Sequence, residues 1–542
     1  MRFFRLLKEE FGEDFNKYLT ISVVSGLMVA LILVIIMVAM GDAEDPSIAL
    51  GLAYLAVLIT YVLAQYYLLS QGWQKSESIS DVIRRRLSKK ILQADLAGIE
   101  NIGESEIFER LTQETTNISQ SAVFLIPSFQ SVILLIFIMI YLLFLFPLGV
   151  IALIALLAAG GWLYWRRAQK ITRILKHSNA YEIRFYRILS DILNGIKEIK
   201  LFQRRKQEIL KTVGKMSHLL RKIHKICYQS YSEEFIGSQL FFFVLIGAIL
   251  FLLPRIVEME VEISIKLVTS AFFIMGPVLS LAFMIPLFEK MRLSFDYIHE
   301  LEERLDAIQD RAFTLEQTQE DFRNFGNIEI RDTEFHYVNP GGDRGFQIGP
   351  LNLKITKGET LFIVGGNGSG KTTMLKMLSL LYYPSSGEIL INEERIGDAQ
   401  IISYREMFSG IFSDFHLFAK MYGFTREELD LIKPLLKKMK LEQKTNLRED
   451  RFTTLKLSTG QRKRLAMIVT LLEDKPILIF DEWAAEQDAD FREYFYDTIL
   501  PELKEKGKTI FVVTHDERYQ GLADRVVQMD YGKISKLTSI PA

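Results

Sequence analysis

Cysteine is almost missing from this 542-residue chain: Cys227 stands alone, which excludes an intrachain disulfide and a cysteine-based metal site. Net charge is missing too. Lysine plus arginine (65) nearly cancels aspartate plus glutamate (66) to leave −1, so nothing global points to nucleic acid. The third lack is local. Residues 18–41, 46–74, 115–165, 235–254 and 267–288 contain no Asp, Glu, Lys or Arg. A helix needs about 20 apolar residues to cross a ~30 Å hydrocarbon core. Four of the runs fit one span each; the 51 residues of 115–165 fit two, broken at Phe146-Pro147-Leu148-Gly149. Six spans in a lipid bilayer are expected, because soluble cores do not contain charge-free runs this long. Spans without fixed charge also offer nothing to pair with an ion, so energy should not come from ion coupling.

Lysine and arginine orient the spans. The segment after span 2 holds Lys75, Arg84, Arg85, Arg86, Lys89, Lys90 and Arg110, and 166–234 is richer still. The opposite loops are short, with Asp42, Glu44 and Asp45 in one and Glu258, Glu260 and Glu262 in another. Both termini are therefore expected in the cytoplasm. The first span does not read as a cleaved signal, being too long, acidic in its flank and without a small-x-small site. Ahead of it, Phe4, Leu7, Phe11 and Phe15 recur at helical spacing and predict an amphipathic helix at the membrane interface. The two long cytoplasmic segments are helix-periodic and free of proline. They predict that spans 2 to 5 run on for about 30 Å beyond the bilayer. The turns are placed near Ile102-Gly103-Glu104-Ser105 and in 191–203. The domain reading is a membrane domain over 1–305, a polar linker over 306–326, and a second domain over 327–542 that opens on Ile328-Glu329-Ile330.

The second domain holds the chemistry. Leu361-Phe362-Ile363-Val364 reads as a buried strand, and 373–378 has helical spacing. Between them lies Gly365-Gly366-Asn367-Gly368-Ser369-Gly370-Lys371-Thr372, a G-x-x-x-x-G-K-[ST] phosphate cradle in its proper strand–turn–helix context. Glycines let successive N–H groups and the positive helix end face phosphate oxygens. Lys371 can reach the β- and γ-phosphates and the Thr372 hydroxyl can ligate Mg²⁺. Downstream, the apolar strand Ile477-Leu478-Ile479-Phe480 ends in Asp481-Glu482. Asp481 can hold Mg²⁺ through water, and Glu482 is placed to activate an attacking water as a general base. A further buried strand, 509–514, ends at His515, in reach of a γ-phosphate or that water.

Leu457-Ser458-Thr459-Gly460-Gln461, 20 residues before Asp481, resembles the signature of ATP-binding cassette (ABC) ATPases. Gly365–Thr373 then resembles Walker A, Ile477–Asp481 Walker B, Ala485–Asp488 the D-loop, His515 the switch histidine, and Tyr337 the aromatic that stacks on adenine. The resemblance implies an α-helical six-span transmembrane domain of the exporter type fused to an α/β P-loop nucleotide-binding domain. It implies ATP and Mg²⁺ as cofactors and a homodimer with two composite sites. In each, Walker A residues Gly366 through Thr373 would face Ser458, Gly460 and Gln461 of the second copy. There are departures: Ser413 stands where the family's Q-loop glutamine would meet the metal, Thr459 replaces a glycine, and bulky Trp483 follows the base. With Phe408–Phe418, the signature resembles a narrower bacterial group. That group comprises the cyclic-peptide and siderophore-precursor exporters related to the syringomycin, pyoverdine and microcin J25 transporters. The implied role is ATP-driven export of a peptide-like solute across a bacterial inner membrane. A siderophore importer on the same scaffold, an ATPase-gated regulator and a lipid flippase are the alternatives. Only 17 residues precede Tyr18, so no leader-cleaving peptidase domain is expected ahead of the spans. Gln65, Gln130 and Gln239, with aromatics such as Phe242, Phe243 and Phe272, make up the polar and aromatic inventory of the spans. A cavity so lined would suit an amphipathic solute.

Overall fold

The computed structural model describes residues 14–41, 47–145, 184–252, 261–313, 320–338 and 344–540, with scattered positions in 147–182 and at 255. Phe4, Leu7 and Phe11, the acidic 42–45 loop and most of the expected fourth span lie outside the described residues. Two compact units form, Met1–Ser88 with Phe108–Leu301 and Lys89–Ile107 with Glu302–Ala542.

Among the described residues, five helices of the chain are long and apolar enough to cross a membrane, beginning at Asn16, Ile48, Glu104, Gln203 and Ile263. They form where the sequence withholds charge, since in lipid only an element that satisfies its own backbone can span. Principal helices here are α1 (Asp14–Gly41), α2 (Ile48–Leu92), α3 (Leu125–Leu145), α4 (Gln203–Gly247) and α5 (Val261–Ala307). At 45 residues, α2 and α4 are about 70 Å long, twice a hydrocarbon core, so each continues past its apolar stretch.

The first unit packs Leu33 and Met37 of α1, Ile138 and Leu142 of α3, Phe242 of α4, and Leu267 and Ile274 of α5 into one cluster. At Gly26 the α1 backbone approaches α3 so closely that an added Cβ would sit 2.7 Å from Ile133 Cγ2. One turn away, Gln130 Nε2 donates to Ser25 Oγ and to Gln65 Oε1, both at 2.8 Å. Two of the glutamines expected to line a cavity thus bond each other, stitching α1, α2 and α3. Phe242 is buried in the bundle, whereas Phe243 and Phe272 are exposed on this chain.

The second unit begins with a short helix, Leu96–Ile102, capped by Asp95 and closed at Gly103, whose φ of 91° suits glycine. Backbone bonds join Asp95 N–H to Ile308 O and Asp310 N–H to Gln93 O, each 2.8 Å. Its main strands are β1 (Asn327–Val338), β2 (Arg344–Thr356), β3 (Thr360–Gly365), β4 (Ser386–Ile391), β5 (Glu394–Arg395), β6 (Phe408–Ile411), β7 (Ile477–Asp481), β8 (Thr509–Val513), β9 (Arg525–Asp530) and β10 (Lys533–Ser539). One sheet is antiparallel, ordered β2-β1-β4-β5; the other runs β10-β9-β3-β8-β7-β6 and is parallel from β9 to β6. Strands β7 and β8 are buried at every residue, as continuous apolar runs in a covered parallel sheet should be. Helices α6 (Lys371–Leu378) and α7 (Thr459–Glu473) belong to the same unit. The carboxyl ends of β3, β7 and β8 lie side by side, with Ile363 and Asp481 both paired to Val513. In open parallel sheets this is where ligands bind.

Candidate functional site

At the end of β3 the loop turns on glycine. Gly370 caps α6 at φ 100°, where an added Cβ would meet Ile348 Cδ1 at 2.9 Å. Gly366, Asn367 and Gly368 form the exposed crest of the loop, while Ser369 is buried and its carbonyl accepts from Gly532 N–H. Lys371 is buried, and its ammonium donates to the carbonyls of Gly365 and Gly366, both at 2.9 Å. These bonds hold the cation across the mouth of the cradle.

Next along α6, the Thr372 hydroxyl donates to Asp481 Oδ2 at 2.7 Å. Ser413 N–H approaches the same oxygen at 3.4 Å. Asp481 is almost wholly buried, and that burial raises its pKa. The bonds from Thr372 and Ser413 oppose the rise and the Glu482 charge adds to it. A hydroxyl and a buried carboxylate are hard oxygen donors, the set that fits Mg²⁺, which keeps several of its waters. Among the described residues no cluster of three His, Cys, Asp or Glu offers a different metal site. Ser413 thus meets the Asp481 carboxylate through its backbone N–H.

Glu482 leaves β7 in the left-handed region, φ 49°. Such a conformation costs a non-glycine residue about 1–3 kcal/mol and persists only where surroundings enforce it. Its N–H is held by Val513 O at 3.2 Å, and its Oε1 lies 3.3 Å from His515 Nε2. Both side chains are part-exposed, 37% and 47%, at the solvent-facing mouth of the site. The left-handed turn also sends the next side chain inward: Trp483 is 1% exposed and packs on Phe495. The bulky residue beside Glu482 therefore occupies the core and leaves the mouth open. Tyr337, near the end of β1, places its hydroxyl 2.8 Å from Thr373 Oγ1 and its ring against Phe335 and Tyr382.

Ser458, Gly460 and Gln461 form a second set at the head of α7. The Ser458 hydroxyl accepts from Gln461 N–H and the Gln461 side chain accepts from Ser458 N–H, a capping box that fixes the first turn. Gly460 lies on the chain's own 485–488 segment, where an added Cβ would come within 2.7 Å of Glu486 O. Gln487 Nε2 donates to Gly460 O at 3.1 Å, and Arg464 Nε donates to Gln487 Oε1 at 2.8 Å. A pocket of about 550 Å³ opens here, lined by Ser458 to Gln461, Arg464, Glu486 and Asp488. Glu100 and Tyr382 bond within this unit with no signal in the sequence, while Lys463 and Gln487 lie at the stretches that resemble the signature and the D-loop without a role of their own there.

An ABC transporter transmembrane region is matched over residues 18–278 and an ABC transporter family over residues 348–485. The chain is also 33% identical over 211 residues to the arginine transport ATP-binding protein ArtP of Haemophilus influenzae, covering 84% of that protein and 35% of this chain. The chain belongs to the ABC transporter family. This ABC transporter is further 34% identical over 355 residues to the ATP-binding protein SyrD of Pseudomonas syringae pv. syringae. That match takes in 63% of the chain and 62% of SyrD, less than two thirds of that relative's length. A bacterial Atm1-family ABC exporter with ATP bound superposes at a TM-score of 0.78 with 18% identity, covering 96% of this chain and 93% of the other. The transporter thus has the exporter-type fold, a multi-pass helical membrane domain fused to an α/β ATPase domain of the ABC class.

Proposed function

We propose that this ABC transporter is a homodimeric exporter. It hydrolyses MgATP to move a peptide-like solute, a cyclic peptide or siderophore precursor, out of a bacterial cytoplasm. It would sit in the inner membrane with both termini cytoplasmic. The observation that carries the reading is the grouping of Lys371, Thr372, Asp481, Glu482 and His515 around the carboxyl ends of three adjacent parallel strands. Residues Gly366 to Lys371 would wrap the phosphates, with α6 presenting its positive end. Thr372 and Asp481 would hold Mg²⁺, which neutralises phosphate charge when bound, with Ser413 on the same side. Glu482 would draw a proton from the attacking water, and His515 would orient that water or meet the γ-phosphate. Tyr337 would stack on adenine. Ser458, Gly460 and Gln461 would complete the site of the second copy, so that hydrolysis waits for dimer closure. The resemblance of the signature region to cyclic-peptide exporters and the charge-free spans support a peptide-like, fairly apolar cargo, and the similarity to the ATP-binding protein SyrD supports ATP as the nucleotide.

The decisive experiment compares mass spectra of medium and cell extract from a deletion strain restored with wild type or with Glu482→Gln. A peptide-sized compound should vanish from the medium and accumulate in cells unless the wild type is present. A compound left in the medium and missing from cells would make the protein an importer, and no difference would favour a regulator or flippase. In vitro, Glu482→Gln should bind ATP and lose at least about 100-fold in turnover; near-normal hydrolysis removes Glu482 from its role.

A further inference from the structure

Lys463 stands five residues beyond Ser458 on α7, inside an Arg462-Lys463-Arg464 run that reads as a solvated basic face. Its side chain is 4% exposed. A buried ammonium has to find partners. Lys463 Nζ donates to the backbone carbonyl of Glu482 at 2.7 Å and lies 3.5 Å from the Glu486 carboxylate. The tie is returned: the Trp483 indole N–H donates to the Lys463 carbonyl at 2.8 Å. Two hydrogen bonds of opposite direction therefore join α7 to the peptide that follows Glu482. On the other side, β8 holds the Glu482 N–H through Val513 O. With its N–H and its C=O both gripped by other elements, Glu482 keeps its left-handed φ, and its carboxylate points at His515.

We propose that Lys463, with Trp483 as its counterpart, is a positioning residue for ATP hydrolysis. It fixes the left-handed peptide of Glu482 and makes the aim of that carboxylate depend on where α7 stands. This rests on the reading of Glu482 as the base and of Ser458 as facing the second copy's nucleotide. Given that reading, the head of α7 touches one ATP while its fifth residue steadies the base that attacks the other. The two sites of a dimer are thereby linked through a single helical turn. A lysine that only held the fold would affect folded yield and melting temperature but not turnover per folded molecule.

The test uses the full-length protein in lipid nanodiscs. Lys463→Met keeps the aliphatic stem and removes every donor. It should bind ATP normally, with KM changed by less than about threefold, while kcat falls about 10- to 100-fold, the loss expected when a reacting group is misplaced by about 1 Å. The Hill coefficient for ATP should fall toward about 1 as the sites uncouple. Lys463→Arg, which keeps a donor, should recover part of kcat. Trp483→Phe, which removes the returning bond together with part of a buried ring, should lower kcat less and in the same direction. If Lys463→Met folds poorly, Trp483→Phe and Lys463→Arg carry the test through the same two readouts. Wild-type kcat and Hill coefficient in folded Lys463→Met overturn the proposal, as does loss of kcat strictly in proportion to folded protein. Glu482→Gln measured alongside separates the failures. An active Glu482→Gln defeats the base assignment itself; an inactive one beside a fully active Lys463→Met defeats only the role of Lys463.

Discussion

Asp481 has 1% of its surface exposed, and burial holds its pKa above the usual carboxylate range. A carboxyl that binds its proton more tightly folded than unfolded stabilises the fold below its unfolded pKa. That contribution is lost as pH rises through the folded value. Once ionised, the group is thus a burden that a cation in the site would relieve. Asp481→Asn should raise the melting temperature of the nucleotide-free protein, because the neutral amide carries no cost of ionisation in the buried site. It should flatten the loss of stability with rising pH and abolish Mg²⁺-dependent turnover. Calorimetry over a pH series checks the first two, and a phosphate-release assay with and without Mg²⁺ checks the third. At this scale the sequence was legible where strand–turn–helix order constrains geometry: Thr372 reaches Asp481, and Lys371 turns back onto the Gly365 and Gly366 carbonyls. It was opaque where one torsion decides. Nothing in Asp481-Glu482-Trp483 announces that Glu482 adopts φ 49° and turns the indole into the core. Lys463 is likewise indistinguishable from Arg462 until a fold buries one of them more deeply.

The short helix Leu96–Ile102 shows the same contrast one level up. Glu100 accepts the Tyr382 hydroxyl and pairs with Lys376 at 3.1 Å, and Lys376 in α6 is itself 8% exposed. Burial, reinforced by Glu100, pushes the Tyr382 pKa far up, so the hydroxyl remains a donor at any working pH. Hydrogen bonds to a charged group are worth about 1.5–3 kcal/mol. Glu100→Ala should therefore release this helix, seen as roughly a 10- to 100-fold loss of amide exchange protection over 96–102, with β3 and β8 unaffected. Tyr382→Phe should cost less. Span lengths and the turn near Gly103 follow from charge-free runs and a glycine. The grouping of Lys89–Ile107 with residues beyond 302 does not, because it depends on bonds across about 200 positions, such as Arg304 to Glu106 at 2.7 Å.

For the whole molecule the proposal of composite sites has a direct check by mixing. Chains carrying Lys371→Ala should be inactive, and so should chains carrying Ser458→Arg. Random pairs of the two contain one intact site in half of the dimers, so an equal mixture should regain turnover, up to roughly a quarter of wild type and less as far as the two sites are coupled. No recovery on mixing would mean that each chain completes its own site, and activity of Ser458→Arg alone would remove Ser458 from the site. Trp483 bears on the same question from another direction. The chain has four tryptophans, and the other three, Trp73, Trp162 and Trp165, fall in the membrane half. Its ring lies in a dry nest 4.6 Å from Phe495, one peptide bond from Glu482. With phenylalanine at the other three positions, the protein carries a single intrinsic fluorophore at the turn under discussion. Its emission maximum and lifetime become an optical gauge of that turn, readable in milliseconds and without a dye, at each round of nucleotide binding and release.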